Sequence, residues 1–400
     1  MLEGTKVTAR SVSAAFTALG LLVACASSGA GNAPEGSAGA ASVGGTSPLA
    51  GGSSALAGTT TSGAGTTSSA AGSSDAGGNG AGGATNGGAG VGGAGSATAG
   101  ASSGAGGMSG GAAGAGAGGG GPETSAGCGK PLGSWKTGTY NITSGGSERE
   151  YIIDIPANYD PKHPYRLFFA FHWIGSTDDA VANGQVNNGG AENWSYYGLK
   201  RMATMAKQPA IFVAPQSKGS TWGEADHAFF DDMYKKLTDE LCVDTSRVFA
   251  TGFSFGAMMT YSLSLNHQKQ LRAVAALAAA NYNIYDPPNT KEPIAYMGTV
   301  GMSDGTCPYV NSDANKTGGK YCALTHAEDN GCTIPANLPT AAKGSKTHLC
   351  YDFQGCKAGY PVKMCTFDGN HQAAPADGGT SDDGLKSWIP TESWKFFTQF

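Results

Sequence analysis

Between Ala26 and Gly127 the chain has no lysine, arginine, phenylalanine, tryptophan or tyrosine, yet that stretch holds 36 of the 65 glycines in the 400 residues. So little large apolar surface cannot offset the backbone entropy of ordering a segment, which is therefore expected to behave as a flexible coil. The stretch also lacks a strict Gly-X-Y period and has few prolines, which excludes a collagen triple helix. Runs of basic residues are missing throughout. The formal net charge of −5 is thinly spread, so nucleic acid has no electrostatic footing as a partner. Beyond residue 24 no apolar run approaches the ~20 residues that span a bilayer, and the body is expected to be soluble. No Cys-x2-Cys pair occurs and the histidines are scattered, so no zinc site is expected.

What is present divides the chain in three. Lys6 and Arg10 precede an apolar run, Val12 to Ala24, that is too short for a comfortable membrane span but suits a secretory signal. The run ends in Leu22-Val23-Ala24-Cys25, which resembles a bacterial lipobox. The resemblance implies that Cys25 carries lipid and becomes the mature N-terminus, and Ala26 after it implies the outer membrane. Residues 1–24 are thus read as a lipoprotein signal peptide, 25–127 as a Gly/Ala/Ser-rich tether and 128–400 as one catalytic domain. A flexible tether of about 100 residues has a root-mean-square reach of roughly 50–60 Å. With Cys25 set aside, Cys128, Cys242, Cys307, Cys322, Cys332, Cys350, Cys356 and Cys365 form an even set suited to disulfides outside the cytosol. Six of them lie between 307 and 365, where they would staple a long insertion; their pairing is open.

Arg149 to Pro156 alternates polar and apolar residues like a half-exposed strand, whereas Tyr165 to Trp173 is nearly all apolar, like a strand covered on both faces. Pro209 to Pro215, Arg247 to Phe253, Ala273 to Ala279, Pro293 to Val300 and Val362 to Phe367 are further short apolar runs. From Asp226 to Leu241 the residues Phe230, Met233, Tyr234, Leu237 and Leu241 recur at helical spacing. The chain closes on an amphipathic segment, Glu392 to Phe400, with Trp394, Phe396 and Phe397 as docking residues. Strands alternating with helices predict a mostly parallel twisted sheet flanked by helices.

Four segments fit Gly-x-Ser-x-Gly, around Ser102, Ser109, Ser254 and Ser303. A nucleophilic serine needs a tight strand-to-helix turn with small neighbours, and only Ser254 lies between a strand, RVFATGF, and a helix-length apolar segment. It needs a base and an acid to orient that base. In an α/β-hydrolase these follow as Asp then His, which points to Asp304 after the strand PIAYMGTV, with Asp368 as rival, and to His371 after the last strand. His267, His326 and His348 are less well placed. The oxyanion would be held by the backbone N–H of Phe255 and by one from Trp173 or Ile174. His172 is read as ordering that loop.

These residues carry a resemblance. Cys128-Gly129-Lys130-Pro131, Ile155-Pro156-Ala157-Asn158-Tyr159-Asp160, Phe212-Val213-Ala214-Pro215-Gln216, Thr221-Trp222-Gly223-Glu224, Ala250-Thr251-Gly252-Phe253-Ser254 and Phe367-Asp368-Gly369-Asn370-His371 look like blocks of secreted feruloyl esterases of carbohydrate esterase family 1, relatives of polyhydroxybutyrate depolymerases. The resemblance spans 128–400 and implies an α/β-hydrolase serine esterase without a cofactor, in which Ser254, Asp304 and His371 are the triad and Trp222 lines the substrate pocket. It implies a feruloyl ester on a plant polysaccharide as substrate, with acetylated xylan and poly(3-hydroxybutyrate) as alternatives. The oligomeric state is open. The family has His before the Gly that leads to its acid, where this chain has Val300. Two readings of another kind compete. A polysaccharide-binding surface protein would lack a triad member, and an adhesive tail would make the body a passenger.

Overall fold

Leu167 to Phe171 are all buried, because the strand they form is covered on both faces. Alternate side chains feed two cores: Leu167, Phe169 and Phe171 face one, Phe168 and Ala170 the other. The structure is a computed structural model that describes residues 122–184, 191–379 and 381–400. The expected signal peptide, Cys25 and nearly all of the tether lie outside the described residues.

The strands are β1 (Gly138–Ser144), β2 (Ser147–Asp154), β3 (Tyr165–Phe171), β4 (Ala210–Pro215), β5 (Val243–Phe253), β6 (Ala273–Leu277), β7 (Ala295–Gly301), β8 (His348–Asp352) and β9 (Val362–Phe367). The helices are α1 (Asp178–Asn183), α2 (Leu199–Met205), α3 (Ala225–Glu240), α4 (Phe255–Ser264), α5 (Gly319–Asp329) and α6 (Ile389–Phe397). The sheet order is β1-β2-β4-β3-β5-β6-β7-β9-β8. The six strands from β4 to β9 in that order run parallel, with antiparallel β1, β2 and β8 outside them. One core holds Phe230, Met233 and Leu237 of α3 and Ala257, Met259 and Leu263 of α4. The other holds Leu199 and Ala203 of α2 and Trp394, Phe396 and Phe397 of α6. Each large apolar side chain so buried contributes about 1.5–3 kcal/mol.

All seven expected strands form, as β2 to β7 and β9, and so do the helices α3, α4 and α6. The hairpin β1–β2, the edge strand β8 and α1, α2 and α5 are additions. The hairpin turns on Gly145 and Gly146, both at positive φ (56° and 74°), the backbone a two-residue hairpin loop requires. Order also reaches upstream of Cys128. Ser125 N–H donates to Val243 O at 2.9 Å, and a Cβ on Gly127 would fall 2.2 Å from Leu241 O.

Three disulfides form: Cys128–Cys242, Cys332–Cys356 and Cys350–Cys365. Bridges of this kind persist in oxidising compartments and are consistent with export. The last two staple the insertion, whereas the first ties the start of the domain to the start of β5. Cys307 and Cys322 remain buried thiols, so the even set of eight does not pair completely. Burial pushes the Cys307 thiol up to about 12. Among the described residues no helix is long and apolar enough to cross a membrane.

Candidate active site

β5 must turn straight into α4, and two glycines allow it. A Cβ on Gly252 would sit 2.4 Å from the Gly256 backbone, and one on Gly256 only 2.0 Å from Phe171 O. Between them Ser254 is forced to φ 57° and ψ −119°, a conformation that non-glycine residues adopt only when the surroundings over-determine it. Its N–H donates to Leu277 O at 2.9 Å and its carbonyl accepts from Met258 N at 2.9 Å, which pins both sides of the turn.

Three loops at the C-terminal ends of the parallel strands meet at this serine. Ser254 Oγ lies 2.8 Å from His371 Nε2, and His371 Nδ1 lies 2.7 Å from Asp304 Oδ2. A carboxylate only accepts, so Nδ1 carries the ring proton and Nε2 is free to take one from the serine. The Asp304 side chain is wholly buried, and its Oδ1 accepts from Thr306 N at 2.8 Å and Cys307 N at 2.7 Å. Those amides hold the carboxylate in one orientation. The His371 ring stands on Phe253, with centroids 4.8 Å apart. Gly301 lets the Asp304 and His371 loops touch, and Ser303 N–H donates across to Gly369 O at 2.9 Å.

The rival residues are engaged elsewhere. Asp368 accepts from Lys346 N at 2.8 Å, and the amides of Gly344 and Lys346 hold its carboxyl below the usual carboxylate range. His326 pairs with Ser264 Oγ at 2.8 Å, His348 with Asp377, and His267 Nε2 lies 3.4 Å from Asp231. Ser303 sits on the same loop as Asp304.

For the oxyanion donors, Phe255 is the first residue of α4, where backbone N–H groups and the helix dipole favour negative charge. Trp173 is half-buried and Ile174 is exposed on the loop after β3, and neither spends its N–H on a partner among the described residues. Trp222, expected to line the substrate pocket, packs behind the loop after β3. It is only 4% exposed, donates Nε1–H to His172 O at 2.8 Å and packs edge-on against Phe171. Its ring supports the loop after β3 from behind.

Two further groups here were not singled out by sequence reasoning. Asp382 Oδ1 accepts from Ala374 N at 2.7 Å and so anchors the chain just after His371. Arg149 Nη2 lies 2.6 Å from Asp226 Oδ1 and 3.0 Å from Gln216 O, a buried brace beneath the loop after β4. The alternation of Arg149 with apolar neighbours on a strand was the one legible hint of an inward-facing cation. Among the described residues no group of three or more potential metal ligands occurs. A cavity of about 580 Å³ lies beside α2 and the N-terminal end of β4, lined by Asp154, Lys200 and Lys207, and holds none of these residues.

No family model matches the chain. It is 37% identical over 276 residues to the probable feruloyl esterase C of Aspergillus clavatus, covering 68% of this chain and 90% of that one. It is 36% identical over 276 residues to the feruloyl esterase C of Emericella nidulans, with the same coverage of both. A solved thermostable esterase aligns at 19% identity with a TM-score of 0.43, over 66% of this chain and 63% of its own. With this identity over nine-tenths of the relatives' length and the mostly parallel sheet flanked by helices, the chain is a carboxylic ester hydrolase that belongs to the feruloyl esterase family.

Proposed function

We propose that the chain hydrolyses feruloyl esters of plant polysaccharides through an acyl-enzyme on Ser254. The observation that carries this is the Ser254–His371–Asp304 array, 2.8 Å and 2.7 Å across its two contacts. His371 Nε2 takes the Ser254 proton as Oγ attacks the ester carbonyl, and the buried Asp304 carboxylate stabilises the imidazolium that forms. The N–H of Phe255 and one from the loop after β3 stabilise the tetrahedral oxyanion. His371 returns its proton to the leaving alkoxide, a sugar hydroxyl in this substrate class. A water, deprotonated by the same nitrogen, then releases the acid and restores Ser254. Two half-buried aromatic residues support an aromatic acyl group: Phe255, which follows Ser254 in the chain, and Trp173, whose ring lies 6.2 Å from that of Phe253.

The test is hydrolysis of methyl ferulate beside p-nitrophenyl acetate, with the Ser254→Ala protein as control. Turnover of both esters that disappears in the variant is the expected result. Acetate turnover alone would move the substrate to acetylated xylan or a polyester, and turnover of neither would refute the esterase.

The same reading extends to how the enzyme is displayed: a cleaved signal peptide, lipid on Cys25, and a tether leading to the esterase domain. The chain joins the body where Thr124 bridges Asp244 near the start of β5, whereas Ser254 follows the end of that strand. At ~3.3 Å per residue the two lie roughly 30 Å apart, at opposite ends of β5. Deleting residues 26–121 is expected to leave turnover of a soluble ester unchanged while weakening action on insoluble substrate. Lost turnover on the soluble ester would contradict the tether.

A further inference from the structure

His172 is fully buried where β3 ends, with its ring against Trp222 at 4.7 Å between centroids. Its Nδ1 lies 2.7 Å from the carbonyl oxygen of the next residue, Trp173. A carbonyl only accepts, so Nδ1 carries the proton and Nε2 presents a lone pair. That lone pair receives Ser217 N–H at 3.1 Å, with Gln216 Nε2 at 3.4 Å. The His172 carbonyl accepts from Trp222 Nε1, and α4 rests so closely on it that a Cβ on Gly256 would come within 2.7 Å. The His172 imidazole thus joins the loop after β3 to the loop after β4, while its backbone carbonyl meets the first turn of the helix that carries Ser254.

Trp173 O accepts a second bond, from Ser176 N at 3.1 Å, closing a turn whose third residue, Gly175, has φ 70°. Gly175 N–H is spent on Ser220 O at 3.0 Å. In a trans peptide the C=O and the following N–H point in opposite directions. A carbonyl pulled toward the imidazole therefore turns Ile174 N–H away from it, and that N–H has no partner among the described residues.

We infer that His172 is a positioning residue, and that by gripping the Trp173 carbonyl as the Nδ1–H tautomer it selects Ile174 N–H as the second oxyanion donor. The inference rests on the esterase reading and goes beyond it by naming one donor and the group that aims it. The grip needs a neutral ring, since a proton on Nε2 would face Ser217 N–H donor to donor. Burial holds the His172 imidazole below its ordinary value, against the hydrogen bond to the Trp173 carbonyl and then the attraction of the Asp226 carboxylate. Arg149, on that carboxylate at 2.6 Å, limits the attraction.

Two substitutions separate the two bonds. In His172→Asn the δ-amide stands where Nδ1 stood and can still donate to Trp173 O, but nothing reaches Ser217. In His172→Gln the ε-carbonyl can accept Ser217 N–H, but no donor remains for Trp173. Hydrolysis of methyl ferulate, binding of a boronic acid that forms a tetrahedral adduct on serine, and Tm would be measured for both. The inference predicts that His172→Gln lowers kcat about 100-fold with KM within threefold, the loss expected when one oxyanion donor is misdirected. Boronate affinity should fall by a similar factor, and His172→Asn should keep kcat within tenfold of the parent. A Gln variant with kcat within threefold of the parent overturns the inference, as does an equal loss in both variants with KM raised. Should the Gln variant fail to fold, the Asn variant decides alone, and a 100-fold loss there is fatal. Failure of the esterase reading itself is distinct, because it would show as an inactive parent.

Discussion

The α-carbon of Gly301 lies against the carbonyl of Asn370, so that a Cβ on Gly301 would fall 2.2 Å from that oxygen. β7 and the loop after β9 thereby meet without a side chain between them, and Asp304 and His371 come within one hydrogen bond. Gly301→Ala must separate them. Expected are a destabilisation of about 1–3 kcal/mol by overpacking and a loss of kcat larger than any change in KM. Kinetics beside thermal melts check this; a variant with parental kcat would show that the two loops do not depend on this contact.

The Cys128–Cys242 bridge closes 114 residues between the start of the domain and the start of β5. In the chain-entropy account a loop of this length stabilises by about 4–5 kcal/mol through the unfolded state. The double variant Cys128→Ser, Cys242→Ser is expected to lose a large part of that by urea titration. At low temperature it should keep its kcat, since neither cysteine approaches Ser254. Equal stability of variant and parent would contradict the account.

Acid stability should reflect buried histidines. Burial lowers His326 from 6.5 to about 3, and burial followed by the charge of His267 lowers His227 to about 4. A lowered folded value means stability that is complete above pH 6.5 and lost as the pH falls from there toward those values. Each such proton is worth up to about 1.4 kcal/mol per pH unit. Asp178, raised by burial to about 6, works in the opposite direction between pH 6 and 3.8. The comparison must therefore be between proteins: His326→Gln should show a smaller fall in Tm from pH 7 to 4.5 than the parent. An identical fall would show that His326 does not titrate on unfolding.

Trp222 behind the loop after β3 gives a further test. Trp222→Phe keeps an aromatic ring against Phe171 and removes only the N–H to His172 O. A drop in kcat of roughly threefold to tenfold with KM unchanged is expected from losing one buried hydrogen bond worth about 1 kcal/mol. A change confined to KM would return Trp222 to the substrate pocket.

The parallel strands and the convergence of residues at their ends were legible because the cause was local. Continuous apolar runs such as Leu167 to Phe171 need burial on both faces, and a serine between Gly252 and Gly256 at a strand–helix junction needs the bend those glycines permit. Order along the chain then singled out Asp304 and His371. What stayed hidden was held by distant partners. β8 has the exposed, mixed pattern of an edge strand, ordered by pairing with β9 and by the Cys350–Cys365 bridge. α5 carries little apolar periodicity and is fixed by the burial of Cys322, Ala323 and Ala327. The packing of Trp222 on Phe171 and His172 was illegible because its motif says nothing of which way the ring turns. The pairing of the cysteines was illegible for the same reason: spacing does not show which side chains the fold brings together.

If Ser254 is the nucleophile, it alone should be open to covalent labelling by a serine-directed reagent. The protein would be treated with an activated phosphonate ester, which transfers its phosphonyl group to a serine primed by a neighbouring imidazole, and then digested and mapped by mass spectrometry. The account predicts one adduct, on the peptide containing Ser254, with loss of methyl ferulate turnover in proportion to labelling, and no adduct in His371→Ala. An adduct on another serine, or full labelling of Ser254 with turnover intact, would contradict it.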